Sequence, residues 1–250
     1  MEQRPVILCV AGFDPSAGAG LLADIKTAEQ HKVNAVAVCT AITLQTETEF
    51  LDIKWEKPAD IEVAIEKMFM HYSISVVKIG IIENMQILKR ILKLILQLNA
   101  STKIILDPVI NSSTGYSFNT PEGNRSELIE ILSSLYLITP NLPEMSALSL
   151  GQLPEVSASE LSEYCNILLK GGHDNSNRGL DRLFIKGKEH LIEANKSILY
   201  SKHGSGCVLS SAIASELALG NSIINSCIKA KMYVEHFLGS NSSLIGFHNV

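Results

Sequence analysis

The sequence predicts an α/β fold, a three-layer α/β/α sandwich in which helices cover both faces of a mainly parallel central sheet. Short apolar runs typical of buried strands alternate along the 250 residues with segments whose apolar residues recur every three or four positions, as in helices. Most of the strand-like runs end in Gly, Asp, Asn or Lys, which is common where a parallel sheet presents polar groups at one edge. Because no fixed repeat or low-complexity linker interrupts the pattern, residues 1–250 are expected to form a single domain.

The first half of the chain is predicted to contain four strands and three helices. Continuous apolar runs define the strands, because strands of a parallel sheet are buried on both faces. Helical spacing of apolar residues defines the helices, and a proline suits the first turn of the second one. In order, the elements are a strand over 6–11, a helix carrying Leu21, Leu22, Ile25 and Ala28, a strand over 34–40, a helix from Pro58 carrying Ile61, Ile65 and Met68, a strand over 74–82, a helix over 85–98 and a strand over 103–106.

The second half continues the same alternation. Two apolar runs end in polar residues, the first at Pro140 and Asn141 and the second at Lys170. A short glycine turn separates two later apolar runs and predicts a hairpin. In order, the elements are strands over 135–139 and 167–169, a hairpin of 183–185 with 190–193, and helices over 205–219 and 222–238.

Composition and charge exclude several classes of protein. Lys and Arg number 21 against 26 Asp and Glu, and this net charge of −5 argues against broad nucleic-acid binding, which needs a basic surface. No apolar run reaches the roughly 18 residues of a membrane span, and the charged residues in 1–5 do not suit a signal peptide. The five cysteines lack CxxC spacing, which favours a reducing, cytoplasmic setting over a disulfide framework or metal cage.

Four residues stand at the ends of predicted strands. They are Gly12, Asp107, Asn141 and Lys170. Ligands of open parallel sheets bind outside the carboxyl ends of the strands, so these residues are expected to converge on one binding site. Turn chemistry explains any one of them equally well, but it explains all four together poorly.

A glycine-rich loop, Gly204-Ser205-Gly206-Cys207, precedes the predicted helix over 205–219. Its two glycines allow consecutive N–H groups to point one way, and the helix N-terminus adds partial positive charge. Such a loop suits the charge that develops on a transferred phosphoryl group. The loop lacks the Gly-Lys-Ser/Thr of a Walker A sequence, and taken alone it is also compatible with an ordinary glycine-rich helix start.

Three further side chains have both a functional and a structural interpretation. Cys207 lies in the first turn of a helix, where a thiol pKa tends to fall, so it is either a proton acceptor for a substrate hydroxyl or a small, buried, inert cysteine. Lys231 interrupts an apolar helical stripe and either extends to the rim or holds an anion near the site. Asp24 lies in the first turns of the helix that follows the loop after Gly12, and it either interacts with the helix dipole or binds a polar ligand.

Seven short segments carry a resemblance to a known family that extends from about residue 6 to about residue 236. They are Ala11-Gly12-Phe13-Asp14-Pro15-Ser16-Ala17-Gly18-Ala19-Gly20 with Asp24, Thr40-Ala41 with Gln45, Lys78-Ile79-Gly80, Leu106-Asp107-Pro108-Val109, Ile138-Thr139-Pro140-Asn141-Leu142-Pro143-Glu144, Leu169-Lys170-Gly171-Gly172-His173 and His203-Gly204-Ser205-Gly206-Cys207. In this order they resemble the hydroxymethylpyrimidine/phosphomethylpyrimidine kinases of thiamine biosynthesis, within the ribokinase superfamily. Any one segment is weak evidence for the family, whereas seven segments in the family's order are specific to it.

The resemblance implies a ribokinase-like fold, a homodimer, and ATP with Mg²⁺ as cofactors. It also implies transfer of a phosphoryl group to 4-amino-5-hydroxymethyl-2-methylpyrimidine and then to its monophosphate. On the acceptor side it implies that Gly12, Asp24 and Gln45 contact the pyrimidine, while Ile81 and Val109 line its apolar face. Cys207 stands where sugar kinases of the superfamily usually carry Asp, which favours the pyrimidine and pyridoxal branch.

On the ATP side, the resemblance implies that Asn141 and Glu144 organise Mg²⁺ and the phosphates through water. Asp107 and Lys170 are expected beside them, and Lys231 is also expected on this side. The loop of Gly204, Ser205, Gly206 and Cys207 is expected to form the anion hole, with Cys207 beside the hydroxymethyl group.

The sequence departs from the family pattern at several positions, namely Ala17, Thr46, Ile81, Ser113, Ser205 and Val208. Ser113 stands where a lysine is common, so the second phosphorylation stays open, and Thr46 and Ile81 leave the ring specificity open. A pyridoxal kinase of the same branch is therefore an alternative. A non-catalytic pyrimidine-binding sensor is another, although a sensor has no need of a phosphate-binding loop.

Overall fold

The computed structural model describes residues 4–109, 125–149, 151–173, 179–194 and 200–248. The strands are β1 (Val6–Phe13), β2 (Asn34–Gln45), β3 (Phe50–Trp55), β4 (Ile74–Ile79), β5 (Lys103–Leu106), β6 (Leu137–Ile138), β7 (Asn166–Leu169), β8 (Asp181–Ile185) and β9 (Lys188–Ile192). The helices are α1 (Gly20–Gln30), α2 (Pro58–His71), α3 (Met85–Leu98), α4 (Arg125–Leu132), α5 (Leu142–Leu148), α6 (Pro154–Leu161), α7 (Ser205–Ala218) and α8 (Ile223–Leu238).

Within the described residues, all the strands belong to one sheet, in the order β3-β2-β1-β4-β5-β6-β7-β8-β9. Neighbouring strands pair in parallel through the central part of this order, which consists of β2, β1, β4, β5, β6 and β7. At one edge β3 pairs antiparallel with β2, and at the other β8 pairs antiparallel with β7 and β9. One apolar core packs helices α2 to α6 against one face of the sheet, and a second core packs α1, α7 and α8 against the other. The predicted three-layer sandwich with a mainly parallel sheet is therefore confirmed.

The order of the strands creates a ligand site at the centre of the sheet. From β1 the chain first places β2 on one side and later β4 on the other, and ligands of open α/β sheets bind at such a switch point. Beyond the strand ends, backbone bonds continue the pairing, because the N–H of Asp107 donates to Ile79 O at 2.9 Å and that of Lys170 donates to Pro140 O at 2.8 Å. These bonds hold the residues that follow β5 and β7 at the same edge of the sheet.

The predicted elements differ from the observed ones mostly at their ends. The prediction for α3, 85–98, is confirmed, because Asn84 caps the helix through Ile87 N and one face is apolar throughout. β2 is longer than predicted and runs to Gln45, whereas the strand predicted over 135–139 shortens to Leu137–Ile138. The sequence analysis missed β3 and the short helices α4, α5 and α6. Three of the six residues of β3 are exposed and none is fully buried, so this edge strand lacks the apolar run of a buried one.

No helix among the described residues has the length and apolar content needed to cross a membrane.

Candidate active site

A single cavity of about 340 Å³ lies at the carboxyl ends of β1, β4 and β5 and at the N-terminus of α7. This volume falls within the range of small-molecule sites. Twelve of the fourteen predicted site residues line it, namely Gly12, Gln45, Ile81, Val109, Asp107, Asn141, Glu144, Lys170, Gly204, Ser205, Gly206 and Cys207. The structure thus brings together most of the residues predicted for both substrates.

One wall of the cavity is charged, and we call it the nucleotide wall. It consists of Asp107, Asn141, Glu144 and Lys170. Lys170 Nζ donates to Asp107 Oδ1 at 3.1 Å and lies 3.6 Å from Glu144 Oε2. The N–H of Glu144 donates to Asn141 Oδ1 at 2.8 Å and the N–H of Asn141 donates to Glu144 Oε2 at 2.7 Å, a capping box that begins α5. The same two side chains therefore start a helix and face the cavity.

The pKa values of the two carboxylates of this wall are shifted in opposite directions. Burial opposes the charge of Asp107, but Lys170 and Lys78 outweigh it and hold the pKa of Asp107 below its ordinary value. Burial raises the pKa of Glu144, and repulsion from Asp107 adds to the effect despite the nearby Lys170. Burial opposes the charge of Lys170 as well, but Asp107 and Glu144 raise its pKa above the ordinary value. Lys170 therefore carries a permanent positive charge beside two acidic groups.

The glycine loop connects this wall to the helix dipole of α7. Gly204 has φ +75°, in the left-handed region that favours glycine, and a Cβ there would lie 2.0 Å from Gly18 O. A Cβ at Gly206 would lie 3.5 Å from both Asp107 Oδ2 and Lys170 Nζ. The loop backbone, the lysine and the acid therefore surround one small volume at a helix N-terminus, which favours an anion.

Cys207 lies in the first turn of α7, but its thiol is not the activated group that the sequence analysis considered. Burial raises the pKa of Cys207 to about 11, and Lys78 only partly offsets it, while Asp24 and Asp107 add to the rise. The expected lowering of the thiol pKa by the helix N-terminus is therefore wrong for the free protein. At neutral pH the cavity presents a thiol, and the thiolate is a minor species.

The opposite wall is neutral, and we call it the acceptor wall. It consists of Gly12, Thr43, Gln45, Ile81 and Val109. A Cβ at Gly12 would lie 2.4 Å from Ile81 Cδ1, so the glycine leaves room for the isoleucine side chain against the backbone of β1. Thr43 Oγ1 donates to Phe13 O at 3.0 Å, which uses its donor within the protein and leaves Gln45 as the polar group of the wall.

Two predicted site residues do not line the cavity. Asp24 is fully buried, and both of its carboxylate oxygens accept from Lys78 Nζ at 2.9 Å, while Ser211 Oγ donates to Oδ1 at 2.6 Å. Its oxygens are thus engaged inside the protein, and the expected contact with the pyrimidine is not observed. Lys231 Nζ donates to Asp181 Oδ2 at 2.8 Å and to Gly179 O, which ties α8 to β8 and turns the lysine away from the cavity. Its expected place on the ATP side is not observed either.

Four ionisable residues line the cavity without having been assigned a role from the sequence, namely Asp14, Lys78, Lys202 and His203. Asp14 accepts from Ala19 N at 2.8 Å and lies 2.9 Å from His203 Nε2. Burial opposes the charge of Asp14, but the hydrogen bond with His203 and others within the loop lower its pKa. The sequence does contain a signal for Lys78, because a lysine inside an apolar strand needs a buried partner. The departure of Ser113 from the family pattern lies outside the described residues.

Comparisons with known proteins identify the family of the chain. The sequence model of the family described as Phosphomethylpyrimidine kinase matches residues 14–249. A hydroxymethylpyrimidine/phosphomethylpyrimidine kinase of Aquifex aeolicus is 30% identical over 246 residues, which cover 96% of this chain and 96% of that protein. Some relatives are longer. The chain spans 46% of the length of a hydroxymethylpyrimidine/phosphomethylpyrimidine kinase from Saccharomyces cerevisiae.

Solved structures of related kinases are similar to this chain. A phosphomethylpyrimidine kinase from Clostridium difficile 630 is 29% identical with a TM-score of 0.77, covering 92% of this chain and 98% of that one. A pyridoxal kinase from Staphylococcus aureus in complex with ADP has a TM-score of 0.85 at 23% identity, covering 99% of this chain and 94% of that one, and it shows the fold alone. These neighbours confirm the ribokinase-like fold, and with the sequence matches they show that the chain belongs to the phosphomethylpyrimidine kinase family.

Proposed function

We propose that the protein transfers the γ-phosphoryl group of ATP to the hydroxymethyl group of 4-amino-5-hydroxymethyl-2-methylpyrimidine, and a second phosphoryl group to the resulting monophosphate. One observation carries the proposal. Asp107, Lys170 and the backbone of Gly206 surround one small volume at the N-terminus of α7, opposite a neutral wall that suits an uncharged ring. Family membership and the names of the relatives supply the identity of the acceptor.

Phosphoryl transfer needs positioning and charge stabilisation more than covalent chemistry. The N–H groups of the loop from Gly204 to Cys207 are the donors for the transferred group, and Lys170 adds a permanent positive charge beside them. Loss of one donor of this kind costs roughly 10²–10³ in rate in other enzymes. The left-handed conformation of Gly204 holds the loop in place before any ligand binds, so little reorganisation is required.

We propose that Mg²⁺ binds with the nucleotide, next to Asn141 and Glu144. The donor set fits this ion, because Mg²⁺ prefers oxygen ligands, keeps several waters and takes phosphates as partners. Among the described residues no group of three acidic, histidine or cysteine side chains could form a closed metal cage, in keeping with an ion held largely by water and phosphate. When bound, the ion would neutralise charge on the phosphate oxygens.

On the acceptor wall, Gln45 is proposed to hydrogen-bond the ring nitrogen and amino group, while Ile81 and Val109 cover its faces. Gly12 allows the ring to approach the backbone of β1. Cys207 Sγ is proposed to lie beside the hydroxymethyl group, where it would hold the proton that leaves the attacking oxygen. Because the thiol pKa is about 11, this role requires that the thiol first release its own proton to solvent, so that the thiolate can take the proton of the substrate hydroxyl.

The decisive experiment is mass analysis of the products formed from ATP, Mg²⁺ and hydroxymethylpyrimidine by the purified protein. We expect both the monophosphate and the diphosphate, with release of ADP. Pyridoxal serves as the competing acceptor, since several neighbours of this fold are pyridoxal kinases. A higher kcat/KM for pyridoxal would overturn the acceptor assignment, and binding of the pyrimidine without ADP release would point to a sensor.

We further propose a cytoplasmic homodimer. All five cysteines are free, which suits a reducing compartment. The ribbon of β2 and β3 exposes Ile42, Leu44 and Leu51, and an exposed apolar patch of this kind suits an interface between two copies. Light scattering coupled to gel filtration measures the mass, and a mass near 27.2 kDa at micromolar concentration would contradict the dimer.

A further inference from the structure

The backbone around Lys170 is hydrogen-bonded on both sides of its Cα atom. The N–H of Lys170 donates to Pro140 O at 2.8 Å, and the N–H of the next residue, Gly171, donates to Asp181 Oδ1 at 2.8 Å. These bonds fix the two peptide planes that flank the Lys170 Cα, and the planes set the direction in which the side chain leaves the backbone. The ammonium reaches Asp107 and the glycine loop from there, so its place in the cavity depends on both bonds.

Asp181 begins β8, beside the end of β7, and holds the segment that follows Lys170. In addition to the bond from Gly171 to the Asp181 carboxylate, the N–H of Gly179 donates to Gly171 O at 3.0 Å. The two segments fit without spare room, since a Cβ at Gly171 would lie 1.9 Å from Leu180 O. A shift of the Asp181 carboxylate would therefore be passed on to the backbone that carries Lys170.

Lys231 of α8 supplies a counter-charge for Asp181. Its Nζ donates to Asp181 Oδ2 at 2.8 Å and also to Gly179 O, and both members of the ion pair are buried. Because a buried carboxylate that loses its partner is costly, the Asp181 side chain would not keep its position without the lysine. Two hydrogen bonds and one peptide bond thus lead from the Lys231 ammonium, through Asp181, to the backbone of Lys170.

We propose that Lys231 and Asp181 are positioning residues for the phosphoryl transfer and that they act through Lys170. The inference rests on the proposed function, because it concerns the cation beside the transferred group. Neither side chain is among the described residues that line the cavity, so their effect on the reaction is indirect. This role also explains why a lysine interrupts the apolar stripe of α8, since the segment after β7 requires a buried cation at that point.

The first test measures kcat for Lys231→Met, for Lys170→Met and for the variant that combines them. We expect kcat of Lys231→Met to fall about tenfold to a hundredfold, because displacement of a catalytic group by about 1 Å can cost about 10² in rate. In the Lys170→Met background the same substitution should lower kcat no further, since residues that act as one unit are not additive. The same fold loss in both backgrounds, or an unchanged kcat in Lys231→Met, would contradict the proposal.

Lys229→Met is the matched control on the same helix. Lys229 Nζ lies 3.0 Å from Glu216 Oε2, and its side chain is half exposed. The substitution therefore removes an ion pair of α8 without touching Asp181, and kcat should remain that of the parent. If Lys229→Met lowered kcat as much as Lys231→Met does, loss of any ion pair of α8 would be the cause and the proposal would be wrong.

Two neutral replacements of the ion pair separate positioning from stability. Lys231→Met with Asp181→Asn removes both charges and keeps an oxygen that can accept from Gly171, whereas Lys231→Met with Asp181→Leu removes that oxygen as well. Replacement of a buried ion pair by neutral side chains of similar size often leaves stability unchanged, so both variants should fold, as thermal unfolding can verify. We expect a kcat near that of the parent with Asn and about tenfold lower with Leu. Equal kcat values in the two would overturn the proposal.

Hydrogen exchange of the Gly171 amide, followed by NMR, tests the connection without turnover. Exchange should be faster in Lys231→Met than in the parent or in Lys229→Met, and an unchanged rate would refute the role of Lys231 while leaving the proposed function intact. The kcat comparisons use whichever acceptor the parent phosphorylates, hydroxymethylpyrimidine or pyridoxal. A parent that phosphorylates only pyridoxal would refute the proposed function, and the same loss of kcat in Lys231→Met would still support the positioning role.

Discussion

The nucleotide wall and the acceptor wall face the same cavity but use different physical interactions. On the nucleotide wall, Lys170 lies between Asp107 and Glu144, and charge dominates. On the acceptor wall, Gly12 and Ile81 are fitted together closely and no charged side chain takes part. From this difference we propose that the first wall stabilises charge in the transition state and that the second selects the shape of the acceptor. Changes in the first should therefore lower kcat, and changes in the second should raise the acceptor KM.

The largest effect is expected at the loop that joins the two walls. Gly204→Ala would place a Cβ 2.0 Å from Gly18 O and 2.7 Å from Ala19 Cα, against backbone that cannot move aside. The loop must then shift, and its N–H groups lose their common direction. We expect turnover to fall by at least about 10²–10³, as for loss of other oxyanion donors, measured by steady-state ADP release.

Gly220→Ala is the matched control for the loop variant. Gly220 also has a left-handed φ, +86°, but a Cβ there would meet nothing within 4 Å. The strain of the positive φ alone should cost about 1 kcal/mol of stability in a denaturation experiment and leave turnover unchanged. If the two variants lost activity equally, backbone strain rather than the clash with Gly18 would be the cause.

The next largest effect is expected for Lys170→Met on the nucleotide wall. Removal of the ammonium takes away the cation beside Asp107 and Glu144 and a positive charge beside the transferred group, so kcat should fall by roughly 10²–10³. The KM of the acceptor should change little, because the neutral wall is untouched. Lys93→Met, on the exposed face of α3, controls for loss of a lysine. If the variant instead raised the acceptor KM and kept kcat, the assignment of separate roles to the two walls would be contradicted.

How far the sequence predicts this arrangement differs between the walls. The strand ends at Asp107, Asn141 and Lys170 could be placed from apolar runs and turn residues, because a parallel sheet brings carboxyl ends to one edge whatever the details of packing. The glycine loop was recognisable for a similar reason, since its conformation depends on local residues. Local chemistry and topology are thus readable in the sequence.

Contacts between distant segments were not predictable in the same way. The sequence alone does not tell whether Asp24 contacts a ligand or Lys78. Only the folded chain shows that the Asp24 carboxylate, on α1, accepts from Lys78 of β4. Lys231 is a similar case, because its partner Asp181 lies 50 residues away. The pKa of Cys207 also depends on burial by several elements, which overrides the local effect of the helix N-terminus.

Cys207 gives a prediction of intermediate size, through the pH dependence of kcat. Deprotonation of a group with pKa about 11 creates the base, so its active fraction rises with pH below that value. If Cys207 is the proton acceptor, kcat should increase up to about tenfold per pH unit between about pH 7 and pH 9. Cys207→Ala should abolish this slope and keep the fold, as circular dichroism can verify. A parent profile that is flat over this range would make the thiol a neighbour of the hydroxymethyl group and not its base.

The smallest effect is expected at the acceptor wall, for Gln45→Ala. The side chain contributes neutral hydrogen bonds, each worth about 1 kcal/mol, so the KM for hydroxymethylpyrimidine should rise about tenfold while the KM for ATP stays the same. Gln97→Ala, an exposed glutamine on α3, is the matched control. A drop in kcat with an unchanged acceptor KM would show that this wall also acts in the transition state. The unequal responses of Gln45→Ala and Lys170→Met therefore test whether selection of the ring and stabilisation of charge are separate properties of the two walls.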